Sequence, residues 1–312
     1  MTAPPDRMRT IPVATFFGAR TGTLQDLTSN HVAMTGLHCD HFGGRPPAAR
    51  FAARQIRYCG TELHSSVGRN LRREHLVDID DLKVFPLEPV RTEDVISEQC
   101  ARVIDTGARL LILGGDYSLA PALLGGALRA QPGASYGLLR LSSNMDLQSF
   151  DGERTNLPER RITTSRIASM LAGGVHDVAL LGVRGLVTTE ESNCAAGTLL
   201  VTAGQLRGDG RSRIIDRLLC WANGFSAIFL SIDADVLAGA AVEQATLPES
   251  PGLPAETVVC VLRSLHNLAI PIAHLAGHRP DFDLTGRSAT EAVAAIGLEL
   301  IEAMLPGHGP CR

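Results

Sequence analysis

The chain has 312 residues, 45% hydrophobic and 20% charged, which is ample to bury a core. A net charge of −4 and a pI near 6.2 exclude a basic footprint for nucleic acid or an anionic membrane. Length alone admits one large α/β domain or two smaller ones.

The cysteines (Cys39, Cys59, Cys100, Cys194, Cys220, Cys260 and Cys311) fall at wide, irregular spacing with no C-x-x-C. That signals neither a zinc knuckle nor a redox motif. An odd set without a framework points to reduced thiols and a cytoplasmic protein. The opening MTAPPDRMRT lacks an apolar h-region, and no run of about 18 apolar residues occurs, so no membrane anchor is expected.

In chain order, IPVATFF (11–17) is predicted as the first strand. His38, His41 and Arg45 follow in a stretch read as a solvated loop. RPPAARFAARQIRYCG (45–60) reads as a loop and then a helix closed by Gly60. ARLLILGG (108–115) is a strand ending in a glycine turn, and SYGLLRL (135–141) is the next strand. VHDVALLGVRG (175–185) carries Asp177 at its start, and FSAIFLSIDADV (225–236) is an apolar run ending in two acids. LAIPIAHLAG (268–277) is a further strand. ATEAVAAIGLELIEAML (289–305) has apolar positions at helical spacing and is stopped by Pro306 and Gly307. This alternation predicts a parallel sheet covered by helices on both faces. Two long polar loops, 147–161 and 238–254, follow acid-bearing strand ends, where ligands bind in open α/β sheets.

Three strand ends are conspicuously polar. GGDYS holds Asp116, Tyr117 and Ser118; LSSNMD holds Ser142, Ser143, Asn144 and Asp146; SIDAD holds Ser231, Asp233 and Asp235. Strand alternation would put Asp233 and Asp235 on one side, and Ser142, Asn144 and Asp146 on one side of theirs. Converging carboxylates need a cation, a proton or a basic ligand. The blander alternative is that these acids cap helices or make turns.

In this order and spacing the three segments resemble the ureohydrolase family of arginases, agmatinases and formimidoylglutamases. The family motifs read Gly-Gly-Asp-His-Ser, Asp-Ala-His-x-Asp and Ser-x-Asp-x-Asp. RFAARQIR (50–57), LLGVRG (180–185), SPGLP (250–254) and RPDFDLTGRSATEAVAA (279–295) extend the likeness over nearly the whole chain. The resemblance implies a single domain over residues 1–312, a three-layer αβα fold with a mainly parallel sheet of about eight strands. It also implies a homo-oligomer, trimer or hexamer.

In the family these motifs hold two manganese ions that generate a hydroxide for attack on a guanidinium-type carbon. Carried over, the ligand positions are Tyr117, Ser142, Asn144, Asp146, Asp233 and Asp235. Tyr117 and Asn144 stand where the family has imidazoles, and Ser142 where it has a bridging carboxylate. A neutral phenol or amide is a poor replacement. No cofactor is therefore expected, although Asp146, Asp233 and Asp235 still offer a weak place for a hard divalent cation that keeps its waters. The proton-shuttle stretch corresponds to TNLPERR (155–161), with Asn156 and Pro158 near the family histidine. The acid that grips the substrate cation falls at Gly277, with His274, His278 and Arg279 on the same segment.

The expected catalytic residues are Tyr117, Asp146 and Asp233. The expected pocket residues are Asp116, Ser142, Asn144, Asp235, Asn156, His274 and His278. Two readings stand: a retooled enzyme acting without manganese on a C–N bond of an amino-acid-derived or natural-product ligand, or a non-catalytic regulatory or small-molecule-binding protein. A manganese hydrolase working with a damaged site is the third. The expected ligand is a small guanidino, amide or amino-acid-derived molecule.

Overall fold

The computed structural model describes residues 14–39, 48–60, 73–145, 166–184, 198–238, 252–280 and 288–305. Among the described residues, nine strands form one sheet in the order β1-β3-β2-β4-β9-β8-β5-β6-β7, and each of their pairings is parallel. They are β1 (Arg20–Thr21), β2 (Val32–Gly36), β3 (Leu76–Asp78), β4 (Arg109–Leu113), β5 (Tyr136–Leu141), β6 (Val175–Val183), β7 (Leu199–Thr202), β8 (Ala227–Asp233) and β9 (Ile272–Ala276). The central strands are buried on both faces, as a parallel sheet between two helical layers requires.

The helices are α1 (Ala52–Gly60), α2 (Pro89–Ile104), α3 (Ala120–Ala130), α4 (Arg166–Gly173), α5 (Ala203–Arg207), α6 (Arg211–Ala222), α7 (Ala255–Ser264) and α8 (Ser288–Met304). Strand alternation divides the core. Leu111, Leu113, Leu230 and Ile232 pack with α1, α5, α6, α7 and α8, while Leu110, Ile112 and Phe229 pack with α2, α3 and α4. None of the described helices is long and apolar enough to cross a membrane.

The winding places the site. The chain builds β1 to β4 on one side and β5 to β7 on the other, and β8 and β9 then fill the gap between β4 and β5. The carboxyl ends of β4, β9, β8 and β5 thus lie side by side, at the kind of switch point where open α/β sheets bind ligands.

Strands are present in the described parts of 108–115, 135–141, 175–185, 225–236 and 268–277, as are the helix expected to close at Gly60 and the helix expected at 289–305. The described part of 11–17 is instead a tight turn, Phe16–Gly18, with Phe17 at φ 54°. β1, β2, β3 and β7 were not anticipated; β1, β3 and β7 are only two to four residues long and owe their place to their neighbours rather than to their own composition, whereas β2 is a fully buried strand of five residues. His38 lies exposed in a loop, as expected, but it is anchored there. Its Nε2 meets Asp81 Oδ2 at 2.6 Å and its Nδ1 meets the Arg50 carbonyl at 2.7 Å. Arg57 of α1 completes that cluster with a bidentate pair to Asp78, at 2.9 and 2.8 Å, and a contact to Asp81 at 2.7 Å. His41 and Arg45 lie outside the described residues.

Candidate functional site

The turn after β4 is set by Gly114 and Gly115, at φ +77° and +73°. A Cβ on Gly114 would sit 2.7 Å from the Ala53 nitrogen, so close helix–strand packing as well as backbone angle demands glycine. The Gly277 N–H donates to the Gly115 carbonyl at 2.9 Å and ties this turn to the end of β9. Asp116 caps the 3-10 turn Tyr117–Leu119, accepting from the Ser118 N–H at 3.0 Å and from the Ser118 hydroxyl. For Asp116, the capping role anticipated as the bland alternative is what its bonds describe.

β8 ends at Asp233, and Ala234–Val236 form a 3-10 turn. Asp233 caps it, Oδ1 accepting the Asp235 N–H at 3.1 Å. The strand alternation expected for Asp233 and Asp235 therefore stops two residues short of Asp235. Asp235 turns toward the end of β5, where it is 4% exposed. Its Oδ1 accepts from the Ser142 hydroxyl at 3.1 Å and the Ser143 N–H at 2.9 Å. Its Oδ2 accepts from the Ser143 hydroxyl at 2.5 Å and the Asn144 NH2 at 3.1 Å. Arg184, just past β6, donates to the Asp235 and Val236 carbonyls at 2.6 and 3.2 Å and holds the turn down.

Arg140 of β5 is 4% exposed and pairs in register with Ser231 of β8, itself opposite His274 of β9. Side chains in register share a face, so Asp233, two residues beyond Ser231, lies on this face also. The Arg140 guanidinium carbon sits 3.9 Å from the centre of the Tyr117 ring, a cation–π stack. Burial pushes the Asp233 carboxyl up to about 7, the Asp235 charge adding to this and Arg140 opposing it. Asp116, Asn144 and Asp233 are partly exposed, whereas Tyr117, Ser142 and Asp235 are buried.

His274 is fully buried beneath these turns, its Nε2–H donating to the Gly114 carbonyl at 3.0 Å. Burial pushes its pKa down to about 4, so it is neutral at physiological pH. His278 is 1% exposed, with Nε2 2.9 Å from the Thr290 hydroxyl of α8. The structure thus brings Asp116, Tyr117, Ser142, Asn144, Asp233 and Asp235 to neighbouring strand ends and sets His274 and His278 in the interior. Asp146 and Asn156 lie outside the described residues. Among the described residues, no three His, Cys, Asp or Glu side chains group closely enough to hold a metal ion.

Ser143, noted among the polar residues of LSSNMD, and Arg184, within LLGVRG, were not expected at the site, and Arg140 was not singled out at all. A lone arginine in the apolar run SYGLLRL was the available signal, because an arginine is almost never fully buried without a partner. Gly277 was noted only as a missing acid. It has φ +76°, and a Cβ there would lie 2.0 Å from Asp233 Oδ1.

Parallel strands between two helical layers, with acid-bearing turns at adjoining carboxyl ends, define an arginase-like αβα fold. The chain belongs to the Arginase family, whose model matches residues 30–302. It is similar to the formimidoylglutamase of Klebsiella pneumoniae subsp. pneumoniae, at 23% identity over 84% of this chain and 82% of that one. It is likewise similar to the formimidoylglutamase of Ralstonia nicotianae, at 26% identity over 89% and 87%. Among solved structures, the proclavaminate amidino hydrolase of Streptomyces clavuligerus superposes with a TM-score of 0.80 at 20% identity, covering 95% of this chain and 98% of that one. The formimidoylglutamase of Bacillus subtilis gives 0.79 at 18% identity, covering 97% and 96%.

Proposed function

We propose that this Arginase-family protein binds a small amino-acid-derived amide, amidine or guanidino compound at the joined ends of β4, β5 and β8 and acts on a C–N bond without manganese. The observation that carries the reading is the bonding of Asp235. Both of its carboxylate oxygens are engaged by Ser142, Ser143 and Asn144, and Ser142 and Asn144 stand at two of the positions where the family resemblance puts metal ligands. A carboxylate so satisfied has its charge compensated by neutral donors and is a poor metal ligand. Tyr117, at a third such position, is covered by a guanidinium. Among the described residues, this donor set does not fit a manganese pair.

What remains for chemistry is the partly exposed group of Asp116, Asn144 and Asp233. Asp233 is the proton-transfer group of this reading, and Asn144 orients a ligand carbonyl or imino group beside it. A second reading, a non-catalytic binding protein, draws on the same internal engagement of Ser142 and Asn144. We further propose that residues 1–312 fold as one cytoplasmic unit that assembles into a homo-oligomer, as the family resemblance implies; light scattering on the purified protein measures the assembly.

The test is metal analysis of the purified protein with turnover assays on N-formimidoyl-L-glutamate, agmatine and arginine, with and without EDTA. The expected result is substoichiometric manganese, with any hydrolysis unaffected by chelation. Binding without turnover selects the second reading. Stoichiometric manganese with hydrolysis abolished by EDTA overturns both.

A further inference from the structure

The three substituted positions each have a bonding partner inside the protein, and one of those partners carries a charge. Ser142 and Asn144 donate to Asp235, and Tyr117 lies under Arg140. Arg140 is the penultimate residue of a strand buried at every position, where a guanidinium is very costly unless an anion compensates it. The register places Asp233 on the same face, one diagonal step away on β8. The neighbouring polar groups do not supply a positive charge: Ser231 is an alcohol, and His274, fully buried, is neutral.

We propose that Arg140 is a built-in cation that takes over the charge role of the family's metal ions, its guanidinium held on the Tyr117 ring and compensating the Asp233 carboxylate. This rests on the reading that manganese is not resident. It accounts for why an aromatic ring, rather than another small polar group, stands at position 117: a guanidinium stacks on a ring face and would not stack on a serine. It also accounts for an arginine in a strand that is otherwise apolar. A bound dication near Asp233 would meet this charge directly, so the arrangement discriminates against metal through repulsion as well as through missing ligands. Arg140 is a positioning residue: it holds Asp233 in place from the neighbouring strand and need not touch ligand.

The experiment is a thermal-unfolding cycle with Arg140→Met, Asp233→Asn and the double variant, with Arg140→Lys beside them. Arg140→Met leaves the partly buried Asp233 without its counter-charge. It is expected to lower Tm by at least about 5 °C or to abolish soluble expression. Adding Asp233→Asn to it should regain at least half of that loss, more than Asp233→Asn alone changes the wild type. Arg140→Lys keeps the charge but not the planar stack, and is expected between wild type and Arg140→Met. Additive effects, no recovery in the double variant, or Arg140→Lys no better than Arg140→Met would each overturn the inference. Stoichiometric manganese in the wild type would instead fail the proposed function, whatever these variants do.

Discussion

Ser143 holds Asp235 with two different atoms, its backbone N–H at 2.9 Å to Oδ1 and its hydroxyl at 2.5 Å to Oδ2. The two residues are 92 positions apart in sequence, and their bonds join the end of β5 to the end of β8. Ser143→Ala removes the hydroxyl and leaves the N–H. A lost hydrogen bond to a buried carboxylate costs about 1–3 kcal/mol. Urea denaturation should show a loss of that size, and Ser143→Thr, which keeps the hydroxyl, should lose less.

Gly277 and Asp233 cannot both keep their places if a side chain is added at 277. The backbone there is at φ +76°, and the new Cβ would sit 2.0 Å from Asp233 Oδ1 and 2.7 Å from Cγ. Gly277→Ala is expected to cost about 2 kcal/mol or more from backbone strain and displacement of Asp233. Unchanged denaturation midpoints would show that Asp233 swings aside freely. The same clash means that an acidic residue cannot reach a ligand cation from this position while Asp233 stays where it is.

The His38–Asp81 pair should make stability depend on pH. Its hydrogen bond to Asp81 raises the His38 pKa above 6.5, against the opposing effect of burial, and the Arg50 carbonyl faces the other ring nitrogen. Burial pushes the Asp81 carboxyl up, but His38 and Arg57 outweigh it and hold the group well below the usual range. A raised histidine pKa contributes stability that is complete below the unfolded value and is lost as pH rises through the folded one. His38→Ala should therefore destabilise by about 0.5–1 kcal/mol at pH 6, the scale of a solvent-screened pair, and by less at pH 9. An equal loss at both pH values would mean that the ring acts by packing alone.

The combined reversion Tyr117→His, Ser142→Asp and Asn144→His should raise manganese affinity. It should also expose the reason for the present residues. The Ser142 hydroxyl lies 3.1 Å from Asp235 Oδ1, so an aspartate there sets two carboxylates together. The triple variant is expected to lose several degrees of Tm without metal and to regain them with Mn2+. Calorimetric titration and thermal scans check both. No gain in affinity would mean that the geometry around these positions has moved.

Much of the architecture was legible because buried parallel strands are continuous apolar runs. SYGLLRL, FSAIFLSID and the stretch 108–115 announce themselves, and the polar residues that end them mark the ligand edge of the sheet. β3 and β7 are too short and too ordinary for that, and exist as strands because β2 and β6 offer them hydrogen bonds. At the site, the residue types GGDYS, SSN and SIDAD could be read, but their facing could not. Alternation holds only while the chain is a strand, and β5 ends at Leu141 and β8 at Asp233. Beyond those points turns decide direction, which is how Asp235 reaches Ser142, Ser143 and Asn144.

By itself, then, the sequence determined the layer order of apolar strands and helices, the polar strand ends, and the likeness to ureohydrolases with altered ligand positions. Local periodicity and short motifs carry that information. Only the tertiary structure decided what the altered residues do: Ser142, Ser143 and Asn144 satisfy Asp235, and Tyr117 carries Arg140. Those pairings depend on which strands the sheet sets side by side. Strand order follows from the packing of the whole chain, and no short stretch of residues encodes it.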